Sequence, residues 1–267
     1  MKPIIVPVNF SACARNAALY AGDLARIMKA DLHLVHVVGI PFSVSEVAMT
    51  DYVYEEMVQA ANTSLKELQV DVTRHTHGKV WVEISIEVGN LGANLKEICK
   101  KLQPYALVLG SSGPTLEKFL TGSPVASLLR NLQTPVIVVP ETATFRHYNR
   151  ILLTCDPGDL DSGLPQFLPL LKDLRDHFGS RFDIVMVETA NKVAQTGKCD
   201  EHFKELYPDI HLIHASKIEE GVQQYLADHE VDLFLVFPKR HSLLDFHISQ
   251  SRKLAKHSPI PVMSLHE

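Results

Sequence analysis

The sequence predicts a doubly wound α/β architecture laid down twice, and three observations carry that expectation. Strand-length apolar runs alternate with stretches of helical period along the whole chain. The runs are rich in Val, Ile and Leu on both faces, as strands are in a parallel sheet covered by helices on either side. The pattern also restarts after residue 149, and its two halves end alike, on "TPVIVVP" and "IPVMSLH".

In the first half the strand runs are "PIIVPV" (3–8), "LHLVHVV" (32–38), "VWVEISIEV" (80–88), "ALVLG" (106–110) and "PVIVVP" (135–140). The stretches between them read as helices. Ser11 is an N-cap for one whose inner face is Ala14, Ala17, Ala18, Ala21, Leu24, Ala25 and Met28. Met57, Ala61, Leu65 and Leu68 mark a second; Leu91, Leu95, Ile98 and Leu102 a third; Val125, Leu128, Leu129 and Leu132 a fourth. Such an alternation folds as parallel strands joined by right-handed helical crossovers.

The polar segment "ETATFRHYN" (141–149) lacks helical period and reads as a linker. It divides the chain into domains over 1–141 and 150–267. The second half has strand runs at 150–156, 181–189, 209–215, 231–237 and 260–265, with helical stretches at 162–178, 217–229 and 246–257. It is the more eroded copy, mostly around "NKVAQTGKCDEHFKELYP", where its second helix is expected.

The totals bound the function. The chain has 267 residues, 46% of them hydrophobic and 21% charged, which is globular composition. A formal charge of −5 gives no electrostatic reason to expect nucleic acid or an anionic membrane as partner. The apolar runs are far too short to span a bilayer, and "MKPIIVPVNF" reads as a first strand rather than a signal peptide. Four dispersed cysteines without C-x-x-C fit reduced thiols, so a cytoplasmic protein is expected.

In an open α/β sheet ligands bind beyond the carboxyl ends of the strands, where strand order reverses. Two loops belong there: the one after the first strand (Pro7 to Ser11) and the one after the fourth (Gly110 to Ser123). Glycines let backbone N–H groups approach a phosphate, and Ser123 at a helix start adds a hydroxyl and the positive dipole end. The structural alternative has Gly110 ending a strand and Ser123-Pro124 as an N-cap followed by proline.

A strand ending at Gly110, then G-x2-G-x8-G-S and "PVASLLRNLQTPVIVVP", resembles the universal stress protein family in its tandem form. "IIVPVNFSACARNAALYAGDLA" resembles that family's opening strand, V-D-x-S and alanine-rich helix, and "LHLVHVV" its second strand. The resemblance implies two flavodoxin-like or Rossmann-like domains with five-stranded parallel sheets, packed as a pseudo-dimer through their last strands. It leaves a homodimer of chains open and implies a stress-linked regulatory role with an unidentified protein partner. It also implies one of two types in the first domain: a site for ATP or AMP with Mg, or no nucleotide. On the family pattern Gly110, Gly113, Gly122 and Ser123 form the phosphate loop, Pro7 and Val8 the strand end, Asn9 faces the ribose, and Val37 or Val38 walls the adenine.

Three departures bear on that site. The spacer between Gly113 and Gly122 is one residue short of the family's nine, and Asn9 stands where the family has Asp. Pro124, like Pro114, removes a backbone donor. Each lost charge-assisted bond costs about 1.5–3 kcal/mol. In the second half Asp156 restores the acid, but "VFPKRHSLLDFHISQSRKLAKHSPIPV" has no glycine. Phe237 replaces Gly110 and Ile248 falls opposite Gly122, so no nucleotide is expected there; Lys239, Arg240 and His241 read as a solvated turn.

Catalytic and metal signals are weak. His75-x-His77 lacks further ligands, the cluster Asp156, Asp159 and Asp161 lacks the rest of a calcium loop, and Cys13 reads as a small buried residue. No nucleophile–base pair stands out. The expectation is a non-enzyme with at most weak ATP hydrolysis. The alternatives are an interaction protein without nucleotide and a nucleotide-hydrolysing α/β enzyme for which Lys118 is the nearest cation.

Overall fold

The computed structural model describes residues 2–39, 51–111, 132, 134–154, 164–189, 201–236 and 260–265. The chain divides into two compact units, Met1–Phe145 and Arg146–Glu267.

In the first unit the order is β1 (Ile4–Pro7), α1 (Ala12–Met28), β2 (Leu32–Val38), α2 (Asp51–His75), β3 (Val82–Val88), α3 (Leu91–Leu102), β4 (Ala106–Ser111) and β5 (Val136–Pro140). All pairings are parallel, β1 lying between β2 and β4, β3 flanking β2 and β5 flanking β4. The resulting order β3-β2-β1-β4-β5 is the Rossmann-like one, not the flavodoxin order that opens 2-1-3. The chain leaves β1 for one side of the sheet and returns on the other, so the switch point lies between the carboxyl ends of β1 and β4.

Helix α1 shows why the sequence folds this way. Ser11 caps it, accepting from the Ala14 N–H at 3.3 Å, and Lys29 closes it in the left-handed region at φ 52°. Half of its buried residues are alanine (Ala14, Ala17, Ala18, Ala21, Ala25), joined by Cys13, Tyr20, Gly22, Leu24 and Met28. Alanines cost no side-chain entropy and let the helix axis lie close to the sheet. Helix α2 extends well beyond the four residues that mark it in the sequence. Ala61, Leu65, Leu68 and Val72 are buried, but Met57 is exposed, so burial runs from Ala61 to Val72 through the C-terminal half of the helix.

The second unit runs β6 (Arg150–Thr154), α4 (Leu168–Phe178), β7 (Arg181–Glu188), β8 (Asp209–His214), α5 (Ile218–Asp228), β9 (Leu233–Val236) and β10 (Val262–Ser264). Its parallel pairings give β8-β7-β6-β9-β10, the same order as the first unit. The helix expected over 162–178 is split: Leu164–Phe167 is a 3₁₀ turn, and α4 follows with proline in its first turn. Pro165 and Pro169 explain the break, since neither has the N–H that a continuous helix needs. The helix expected over 246–257 and most of the one marked by Val125, Leu128 and Leu129 lie outside the described residues.

The 141–149 segment has neither helix nor strand, yet it is not loose. Ala143 and Tyr148 are buried. The Asn16 side chain on α1 donates to the carbonyls of Pro140 and Ala143 at 3.1 and 2.9 Å.

Candidate functional site at the switch point of the first unit

The loop after β1 is tightly determined. Val8 continues the sheet, its N–H donating to the Val35 carbonyl at 2.8 Å. Asn9 is exposed, and its Oδ1 accepts from both the Ser11 N–H (3.2 Å) and the Ser11 hydroxyl (2.6 Å). A backbone N–H only donates, so the oxygen of Asn9 must face the turn, and the amide Nδ2 is the group left to offer a ligand. Because the Ser11 proton goes to Asn9, the Cys13 thiol is the donor in its 3.1 Å contact with Ser11 Oγ. Cys13 itself is buried.

Between Asn9 and Ser11, Phe10 takes φ 62°, a left-handed conformation that disfavours non-glycine residues. What holds it is His36 on β2. The imidazole packs against the Phe10 ring at 4.5 Å, and its Nδ1–H donates to the Val8 carbonyl at 2.7 Å. Sequence reading missed Phe10 and His36 as site-shaping residues. The available signal was a histidine near the end of an otherwise apolar strand.

On β4, Gly110 pairs with Val139 and Ser111 with Pro140. A Cβ at Gly110 would lie 2.2 Å from the Cys13 carbonyl oxygen, 2.5 Å from its carbon and 2.9 Å from the Ala14 nitrogen. The first turn of α1 therefore rests on the backbone of Gly110, and this packing alone requires glycine. Val38 is buried, with its carbonyl accepting from the Gly89 N–H at 2.9 Å, and Val37 is half-buried beside it. Pro7 ends β1 opposite Val35. The structure thus brings Pro7, Val8, Asn9 and Gly110 together around the switch point and sets Val37 and Val38 at the end of the neighbouring strand.

Gly113, Gly122 and Ser123, with Pro114, Lys118 and Pro124, lie outside the described residues. So do Asp156, Asp159, Asp161, Phe237, Lys239, Arg240, His241 and Ile248 of the second half. His75 is at the end of α2 and pairs with Asp23 on α1 through Nε2 at 2.7 Å, while His77 sits in a left-handed turn at φ 54°. Among the described residues no group of three or more His, Cys, Asp or Glu is placed to hold a metal, and no helix is long and apolar enough to cross a membrane.

Residues 1–140 match the model of the universal stress protein family. Universal stress protein G of Shigella flexneri is 26% identical over 141 residues, covering 52% of this chain and 98% of that protein. Universal stress protein MJ0531 of Methanocaldococcus jannaschii is 26% identical over 144 residues, 52% of this chain and 81% of that protein. A universal stress protein from Archaeoglobus fulgidus shares the fold over both halves, with a TM-score of 0.73 at 14% identity, covering 99% of this chain and 98% of that one. The family model matches the first half, and the likeness of fold extends over both. A matched family model over more than half of the chain places it: this protein belongs to the universal stress protein family.

Proposed function

We propose that this is a regulatory protein of the cytoplasm that binds an adenine nucleotide, ATP or AMP, at the switch point of its first unit. The observation that carries the reading is the exposed amide of Asn9 at the carboxyl end of β1, held in one orientation by Ser11 beside the β4 terminus. Asn9 meets the ribose with its Nδ2 donors, Val37 and Val38 border the base, and the Gly110 to Ser123 segment receives the phosphates with or without Mg. Nucleotide then acts as a sensed ligand that shifts the population of surface conformations presented to a protein partner. Pairing of the two halves as a pseudo-dimer, and of chains as a homodimer, belongs to the same proposal; native mass spectrometry tests the latter. Calorimetric titration tests the nucleotide: heat of binding below millimolar AMP or ATP is expected, and its absence with folded protein overturns the reading.

One observation favours a second reading, an interaction protein of the same family without nucleotide. The packing of α1 on Gly110 accounts for that glycine with no phosphate nearby. On this reading thermal stability is unchanged by ATP with magnesium, whereas a ligand at one hundred times its Kd adds about 2.7 kcal/mol.

A further inference from the structure

The two units place a buried polar group at one and the same node of their sheets. In the first, Ile4 pairs with both Leu32 and Ala106; in the second, Ile151 pairs with both Phe182 and Leu233. The next residue outward along the second strand is His33 in one unit and Asp183 in the other. Two positions beyond their partners on the edge strand stand Ser85 and His211. The position is conserved between the halves as polar and buried, at 8% and 2% exposure, but its chemistry is reversed.

In the first unit His33 is a base in an apolar setting. Its Nε2 lies 3.0 Å from the Ser85 hydroxyl, and its Nδ1 is buried with no hydrogen-bond partner among the described residues. From β1 its neighbour is the apolar Ile5. The charged groups acting on it are Glu83 and Glu87 from β3 and Lys101 from α3. A proton added to this ring creates a second N–H donor, and that donor has no acceptor.

In the second unit the Asp183 carboxylate is held through Oδ2 by two donors and faced by a histidine at Oδ1. Arg150 Nε lies 3.1 Å from its Oδ2, and the Tyr225 hydroxyl donates to the same oxygen at 2.5 Å. His211 Nε2, itself buried without a hydrogen-bond partner among the described residues, stands 3.9 Å from Oδ1. A proton on His211 therefore faces a carboxylate, where a proton on His33 faces no acceptor. Asp209 and Arg181 pair with each other at the outer edge, and the ring of His229 stacks on Tyr225 at 4.1 Å.

We propose that the β2–β3 edge of the first unit is an acid-sensitive joint, released when His33 takes a proton, while the matching edge of the second unit stays shut. This goes beyond nucleotide binding and does not depend on it. The sign follows from linkage. Burial, which outweighs the pull of Glu83 and Glu87, lowers the His33 pKa below the ordinary value of 6.5. The unfolded or opened state therefore binds the proton more tightly, so stability is fully present above about pH 6.5 and is lost as pH falls below it. Because β3 is an edge strand, the opening is local, at the end of the sheet whose β2 carries Val37 and Val38.

The test is amide hydrogen exchange on the full chain between pH 7 and 5.5, corrected for intrinsic exchange rates. Protection in β2 and β3 should fall, by no more than about tenfold because the lowest pH lies one unit below the ordinary 6.5, while β7 and β8 hold. In His33→Gln, which keeps a donor for Ser85 and cannot titrate, the fall should vanish. A flat wild-type profile, an equal loss in β7 and β8, or the same slope in the variant overturns the proposal. Should the variant fail to fold, the wild-type His33 ring is titrated directly by NMR: a midpoint below about 6.5 supports the joint, and one at or above it refutes it.

Discussion

Adding one methyl group at Gly110 tests whether packing or ligand chemistry sets that residue. In Gly110→Ala the new Cβ would stand 2.2 Å from the Cys13 carbonyl oxygen, where real contacts are not found below 3.0 Å. Strand β4 and the first turn of α1 must then part by at least ~0.8 Å, and both are backbone, so no flexible side chain can absorb the shift. Overpacking of this kind costs about 1–3 kcal/mol, and the upper end applies because Cys13 C and Ala14 N are also crowded. Reduced entropy of the unfolded chain returns only about 0.4–1 kcal/mol. The control is Gly39→Ala, whose Cβ meets nothing within 4 Å and should be neutral or slightly stabilising. Denaturant unfolding followed by circular dichroism compares the two midpoints at constant slope. If Gly110→Ala lies within ~0.5 kcal/mol of the control, the close approach of α1 is not what demands glycine.

Further outcomes follow from the same geometry. Asn9→Asp keeps an oxygen for Ser11 and turns an anionic acceptor outward instead of an amide donor. A ribose hydroxyl then gains a charge-assisted bond, and AMP binding should tighten about tenfold, a difference of ~1.4 kcal/mol; unchanged or weaker binding by calorimetry contradicts the placement of Asn9 at the ribose. Tyr225→Phe strips a donor from the buried Asp183 and should cost about 1.5–3 kcal/mol in the unfolding of the second unit. A loss under ~0.5 kcal/mol would show Arg150 to be sufficient alone. Burial first, and then the bond to Asp183, push the Tyr225 phenol well above its ordinary pKa of 10. Absorbance titration should therefore leave the Tyr225 phenol un-ionised at about pH 11, and full ionisation of all tyrosines in the folded protein at that pH would count against the buried bond.

How much of this was legible in the sequence depends on how local each cause is. Strand β2 matches its run residue for residue because it begins and ends on buried apolar residues, Leu32 and Val38, its two histidines lying inside those bounds. The N-cap at Ser11 was legible for the same reason: cap and helix start are adjacent in the chain. Asn90 plays the same part for α3, its Oδ1 accepting from the Ala93 N–H at 3.1 Å, and it went unnamed although Leu91 directly after it opens that helix's apolar face. Helix α2 was seen only in its middle, because the sequence reports the buried face and not how far a helix continues past it. At the site, "VNFS" suggested an Asp-like ribose contact, but whether the Asn9 oxygen is available depends on a turn whose shape His36 fixes from 27 positions away.

The two readings of Gly110 show the limit most sharply. A glycine at the end of a strand is compatible with a phosphate loop and with close backbone approach, and residue type alone does not separate them. The structure supplies a sufficient cause, the seating of α1 on Gly110, that acts with or without ligand. The glycine therefore loses its weight as a sign of nucleotide, and that weight passes to Asn9, whose Nδ2 has no comparable packing role among the described residues. The buried node makes the same point from the other side. His33 and Asp183 each interrupt an apolar run, and only the strand register shows that they interrupt it at one place in both units. A polar residue at the same buried node of both units, a histidine in one and a carboxylate in the other, is where the two halves should differ in their response to acid.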